Sequence, residues 1–225
     1  MVSVSFASTM SSDPWGGSEQ LWGAAARLLA ERGNEVHACR KKWRRPSPQL
    51  AELATAGVTL STWRRAGRPR RALLKFGIDR QGLRLKPSDV VVVNQGGTYD
   101  VLGNAQLRVA VARAQTRQIP YVIAVHSNTE RPLSVTARTR LRQYYANAAA
   151  VVLPSPRLQS DLERQLAMAL PHTTAIVTPT PLLADPAPAF PFHSELRIAH
   201  VARLDAEQKG QDVLLGALAR VSWRS

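Results

Sequence analysis

Cysteine, acidic residues and long hydrophobic runs are all scarce in this chain, and each scarcity removes a class of protein. Cys39 is the sole cysteine, so neither an internal disulfide framework nor a cysteine-rich metal centre can form, which fits a reducing compartment. Unbroken apolar runs such as residues 90–93 and 148–153 are far shorter than the roughly 20 residues a membrane-spanning helix needs. No basic segment precedes the first apolar stretch, so the expectation is neither a signal peptide nor a transmembrane helix, and a cytoplasmic protein. Asp and Glu number 16 against 30 Lys and Arg, a net charge of +14 that predicts an anionic partner. The nicotinamide-type Gly-x-Gly-x-x-Gly is missing, which weakens an NAD-dependent dehydrogenase. What is present is globular: 225 residues, 44% hydrophobic, suffice for a sizeable core.

Short apolar runs alternate with amphipathic stretches, the pattern of a parallel sheet built from strand-helix-strand units. Strands are expected at residues 2–7, 35–39, 58–61, 89–94, 121–125, 149–153 and 175–177. Helices are expected at 18–32, 49–56, 71–83, 104–117, 135–148 and 156–169. In the first helix Leu21, Trp22, Ala25, Leu28 and Leu29 form one stripe, and Gly33 is placed to end it. The fold class is therefore α/β, a Rossmann-like doubly wound parallel sheet. Residues 178–192 are too rich in proline for a helix or a central strand. This divides the chain into a domain at 1–180, a linker at 181–194 and a segment at 195–225 that opens with a strand from Leu196 to Val201.

Three features carry chemistry. Trp15-Gly-Gly-Ser-Glu19 lies between the first strand and the first long helix, where Gly16 and Gly17 allow close backbone approach and the helix N-terminus offers N–H groups to an oxyanion. A tight turn is the plain alternative. Gly96 and Gly97 follow the fourth strand and His126 follows the fifth. In doubly wound sheets the carboxyl ends of strands converge on one rim, although a lone histidine after a strand is more often structural. Arg203 and Lys209 flank a strand-to-helix loop, with the helix opening at Gly210. Two fixed cations there suit a diphosphate, while Asp205 and Glu207 offer simple surface pairing instead.

Together Trp15-Gly-Gly-Ser-Glu19, Asn94-Gln-Gly-Gly97, His126, Val151-Val-Leu-Pro-Ser155 and Ala202-Arg-Leu-Asp-Ala-Glu-Gln-Lys-Gly-Gln-Asp-Val-Leu-Leu215 resemble the retaining GT-B glycosyltransferases of family 4. The resemblance implies the N-terminal half of a GT-B fold with a truncated second domain. It implies that Arg203 and Lys209 grip the diphosphate of a nucleotide-sugar donor, that Gly16 and Gly17 line the cleft, and that His126 hydrogen-bonds the sugar near the reacting centre. It further implies transfer with retention to a saccharide or lipid-linked acceptor, with no metal and no cofactor. Two departures stand out. The two glutamates, separated by seven residues, that bind the donor in such enzymes have no counterpart before Ser225, and Thr178-Pro-Thr-Pro181 replaces an asparagine-proline turn.

The excess cations are clustered. Arg40, Lys41, Lys42, Arg44 and Arg45 surround Trp43, and Arg64, Arg65, Arg68, Arg70, Arg71 and Lys75 follow Trp63. Such clusters suit an anionic membrane surface or nucleic acid, and solvated loops of an arginine-rich composition account for them equally well. The resemblance to sugar-transfer enzymes favours the inner face of a membrane, contacted through Arg40–Arg45 and Arg64–Lys75, and disfavours nucleic acid. Two function classes follow: a glycosyltransferase, whole or as its N-terminal fragment, and a non-catalytic basic binding module that lacks the donor domain.

Overall fold

The structure, a computed structural model, describes residues 1–10, 13–64, 85–128, 132–170, 175–177, 198–202, 204 and 206–220. It divides into two compact units, Met1–Leu183 and Ala184–Ser225.

The first unit holds a seven-stranded sheet of β1 (Ser3–Ser8), β2 (Glu35–Lys41), β3 (Thr59–Trp63), β4 (Val90–Gly97), β5 (Tyr121–Ser127), β6 (Ala150–Leu153) and β7 (Ala175–Val177). All pairs are parallel and the order is β3-β2-β1-β4-β5-β6-β7, so the winding reverses between β1 and β4. The connecting helices are α1 (Gly17–Glu31), α2 (Gln49–Thr55), α3 (Asp100–Gly103), α4 (Ala105–Thr116), α5 (Val135–Ala146) and α6 (Pro156–Leu166). Alternation along β4 shows both faces covered. Val91 and Val93 join Leu107, Val111, Leu141, Tyr145 and Leu162 in one core, while Val92 packs on a second core built from Phe6, Trp22, Ala26, Val36 and Leu53. The fold is the α/β, Rossmann-like doubly wound sheet expected from the sequence.

Local chemistry explains the boundaries. Gly33, with φ +79°, ends α1 in the left-handed region where glycine is least penalised. The α1 stripe is rotated from expectation: Ser18, Glu19, Trp22, Gly23 and Ala26 are buried, whereas Leu28 is exposed, because α1 also docks its first turn onto the end of β1. The stretch expected as one helix from 104 is preceded by the short α3. Asn104 then caps α4, its Oδ1 accepting from the N–H groups of Gln106 and Leu107, both at 3.1 Å. Ser155 caps α6 in the same way and Pro156 occupies its first turn, so the Pro-Ser segment serves the helix start. The helix expected at 71–83 and the proline-rich linker lie outside the described residues.

The second unit is described by itself. Residues 198–202 form no strand, against the expectation for 196–201. A β-strand needs a neighbour to satisfy its backbone, and none is paired here among the described residues. The single turn α7 (Ala206–Lys209) leads through Gly210, at φ +66°, into α8 (Gln211–Leu218). No helix among the described residues is long and apolar enough to cross a membrane.

Candidate functional site

The winding reverses where β1 and β4 end side by side, the place where doubly wound sheets open a crevice, since the chain leaves β1 toward one face of the sheet and β4 toward the other. The seam is closed by the Thr9 N–H, which donates to the Asn94 carbonyl at 2.9 Å. Asp100, in the first turn of α3, spans it: Oδ2 accepts from Thr9 Oγ1 at 2.9 Å and from the Gly96 N–H at 3.0 Å. One carboxylate thus ties the end of β1 to the end of β4.

The glycine pair that opens α1 sits on the same rim. Gly16 is the helix N-cap in extended backbone and makes no side-chain cap. A methyl group added at Gly17 would touch nothing within 4 Å, and one at Gly16 would reach only Glu19 Oε2 at 3.9 Å. Among the described residues neither the packing nor the backbone conformation of this turn demands glycine, and Gly17 is exposed at the first N–H groups of α1. Behind it Glu19 is 4% exposed and accepts from Ser8 Oγ at 2.7 Å and Ser18 Oγ at 2.6 Å. Burial raises its carboxyl above the ordinary carboxylate range, against the opposing effect of these hydroxyl donors. Trp15 lies across Trp22 at 5.7 Å and over Gly23, which anchors the loop to the helix.

Gly96 and Gly97 are the last residues of β4 instead of lying beyond it, and His126 is inside β5, because Gly97 still pairs with Ser127. A methyl group at Gly97 would come within 3.3 Å of Asp100 Oδ1 and press on the carboxylate that makes the tie. Ser127 Oγ donates to the Gly96 carbonyl at 2.8 Å. His126 Nε2 stands 2.8 Å from Asn94 Oδ1, and burial alone lowers the imidazole to about 4, so the ring is neutral near pH 7. Gly16, Gly17, Gly96, Gly97 and His126 are therefore joined on one rim through Glu19, Ser8, Thr9, Asp100 and Ser127.

Ser8, Thr9, Asp100 and Ser127 were not assigned a role from the sequence, and Asn94 entered only as the first residue of the Asn94-Gln-Gly-Gly97 motif. The available signal was positional for Ser8, Thr9, Asn94 and Ser127, polar residues at or just after the apolar run of a strand in an otherwise buried parallel sheet, whereas Asp100 lies in the first turn of α3.

Arg203 lies outside the described residues, and Lys209 belongs to the second unit. Lys209 is exposed at the end of α7 and not in a loop, and its carbonyl is 3.2 Å from His200 Nε2. Of the cation clusters, residues 65–84 are outside the described set. The remainder gathers where β2 and β3 end: Lys41 pairs with Trp63, and Lys41 Nζ sits 3.9 Å over the Trp43 ring. Trp63 is not available to any surface. It is buried, and its indole N–H donates to the Ser8 carbonyl at 3.0 Å, bracing β1 just below the rim.

The family model for Glycosyltransferase Family 4 matches residues 15–194. Anabaena HepE, solved in complex with UDP and glucose, is 13% identical with a TM-score of 0.46 over 79% of this chain and 45% of that one. A Sinorhizobium meliloti protein described as a short-chain dehydrogenase/reductase is 15% identical with a TM-score of 0.38, over 80% of this chain and 96% of that one. An actinorhodin polyketide ketoreductase variant with NADPH is 17% identical, also with a TM-score of 0.38, over 72% of this chain and 75% of that one. The chain thus spans less than half the length of HepE. No curated protein matches the sequence.

Proposed function

This chain belongs to glycosyltransferase family 4, and on that premise we propose that its first unit is the acceptor-binding half of a sugar-transfer site. The reaction moves a sugar from a nucleotide-sugar donor to a saccharide or lipid-linked acceptor with retention, and needs no metal. The observation that supports this reading best is the single rim at the winding reversal, where two open glycines at a helix N-terminus share a crevice with His126.

In this proposal the acceptor hydroxyl oxygen bonds to the anomeric carbon as the bond from that carbon to the diphosphate oxygen breaks. The hydroxyl proton passes to the departing diphosphate, and a nucleoside diphosphate leaves. Gly16 and Gly17 let the reacting groups approach the first N–H groups of α1, whose partial positive charge favours an anion. His126, neutral, hydrogen-bonds a sugar hydroxyl near the reacting carbon. Arg203 and Lys209 hold the donor diphosphate and stabilise charge on the leaving nucleotide. The lysines and arginines of 40–45 and Arg64, at the carboxyl ends of β2 and β3, attract an acceptor carried on an anionic membrane, placing the protein in the cytoplasm at the inner face of that membrane.

The test is turnover over a panel of UDP-, GDP- and ADP-sugars by wild type, His126→Ala, and the double variant Arg203→Ala, Lys209→Ala. Turnover by wild type that falls at least a hundredfold in each variant supports the reading. Turnover that survives all three substitutions refutes the assigned residues, and binding of the panel with no turnover favours a non-catalytic module.

A further inference from the structure

Asn94 occupies the centre of the rim. It pairs with Ser8 on one side and Ala124 on the other, is 1% exposed, and its carbonyl accepts from both Thr9 N–H at 2.9 Å and Thr9 Oγ1 at 3.3 Å. Its backbone is thereby fixed by both neighbouring strands, and its side chain has little freedom to turn away from His126. The contact it makes there is Oδ1 to Nε2 at 2.8 Å. A carboxamide oxygen only accepts, so with Oδ1 turned to the ring, as it is here, the pair places the ring proton on Nε2. A neutral ring with its proton on Nε2 carries a lone pair on Nδ1 and can only accept there.

We propose that Asn94 is a positioning residue that locks His126 in the Nε2–H tautomer, so that Nδ1 accepts a hydrogen bond from a sugar hydroxyl. The choice of Nδ1 as acceptor rests on the sugar-transfer reading above; the tautomer lock itself does not. The consequence is selectivity by hydrogen-bond sense. His126 engages a hydroxyl as donor and disfavours a ring oxygen, ether or carbonyl at the same place, because those offer no proton and would face a lone pair. Among the described residues no charged group competes for the ring. The two carboxylates of the rim are occupied elsewhere, Asp100 by Thr9 and Gly96 and Glu19 by Ser8 and Ser18. Asn94 Nδ2 is buried without a hydrogen-bond partner. Among the described residues the Oδ1 contact is thus the one side-chain bond that orients this amide.

The experiment is nitrogen NMR of histidine side chains in the full chain, in wild type, Asn94→Ala and Asn94→Asp, with His126→Gln assigning the resonance. The expected wild-type signature is an unprotonated Nδ1 and a slowly exchanging Nε2–H. In Asn94→Ala that proton exchanges at least tenfold faster. In Asn94→Asp a carboxylate against Nε2 raises the ring's titration midpoint by roughly one to three units. Should the aspartate variant fail to fold, the alanine comparison still decides. A wild-type ring protonated on Nδ1, or Nε2–H exchange unchanged in Asn94→Ala, overturns the proposal. These readouts need no turnover, so an inactive wild type removes the sugar-transfer reading and leaves the tautomer result standing. Where turnover is measurable, Asn94→Asp is expected to lose kcat on acidification below its new midpoint with KM for the nucleotide sugar little changed.

Discussion

Acidification should cost this protein a defined amount of stability through His126. In the unfolded chain the imidazole titrates at its ordinary value of 6.5, whereas burial holds it to about 4 in the fold. Between those values the unfolded chain carries a proton that the folded chain refuses, so stability rises with pH across the window and is lost as pH falls from 6.5 toward 4. At about 1.36 kcal/mol per unit the full window is worth about 3 kcal/mol. Between pH 7.0 and 4.5 the calculation gives roughly 2.5 kcal/mol, less what screening at the partly exposed rim removes. The assay is urea unfolding of wild type and His126→Gln at both pH values. His37, also held low by burial, titrates in both proteins and cancels in the comparison. Wild type should lose roughly 2 kcal/mol more than the variant on acidification. Equal losses in the two proteins would refute a buried neutral His126.

Glycine substitutions at the rim should separate ligand space from packing. Gly17→Ala, with nothing within 4 Å of the added methyl group, should change stability by less than about 0.5 kcal/mol yet reduce nucleotide-sugar turnover at least tenfold. Gly97→Ala, 3.3 Å from Asp100 Oδ1, should instead cost about 1–2 kcal/mol of stability by pushing on the Asp100 tie, as read by thermal unfolding. Gly23→Ala would set a methyl group 2.8 Å from Trp15 Cη2, so the Trp15 ring must shift on α1. A loss of about 1–3 kcal/mol and an altered near-ultraviolet circular dichroism spectrum are expected. Trp63→Phe removes the indole N–H from the Ser8 carbonyl and should cost about 1–3 kcal/mol in urea unfolding.

The seven strands were legible because a doubly covered parallel sheet demands continuous apolar runs, and Val90 to Val93 or Tyr121 to Val125 supply them. Their carboxyl ends were read too short, at Asn94 and Val125, since polar and glycine residues carry no apolar signal although Gly97 and Ser127 still pair. The facing of α1 was read from the stripe Leu21, Trp22, Ala25, Leu28 and Leu29, of which Trp22 is buried. Leu28 is nevertheless exposed, because burying Glu19 against Ser8 turns the helix. Residues 198–202 show the opposite failure: an apolar run reads as a strand, yet strand formation depends on a partner that local sequence cannot supply. At the rim, Gly16, Gly17 and His126 stood out by residue type and place. The roles of Asp100 and of Asn94, the latter noted only as the start of a glycine motif, did not, because what distinguishes them is a bond across 91 residues in one case and 32 in the other.

The central claim is that the crevice between the ends of β1 and β4 is where the sugar-transfer ligands bind. Backbone amide mapping by NMR during titration with nucleotide sugar and with saccharide tests it most directly. The account predicts the largest changes at Gly16, Gly17, Gly96, Gly97 and His126. Changes confined to the groove between α4 and α5 that Arg108 and Arg140 line, with the rim amides unmoved, would contradict it.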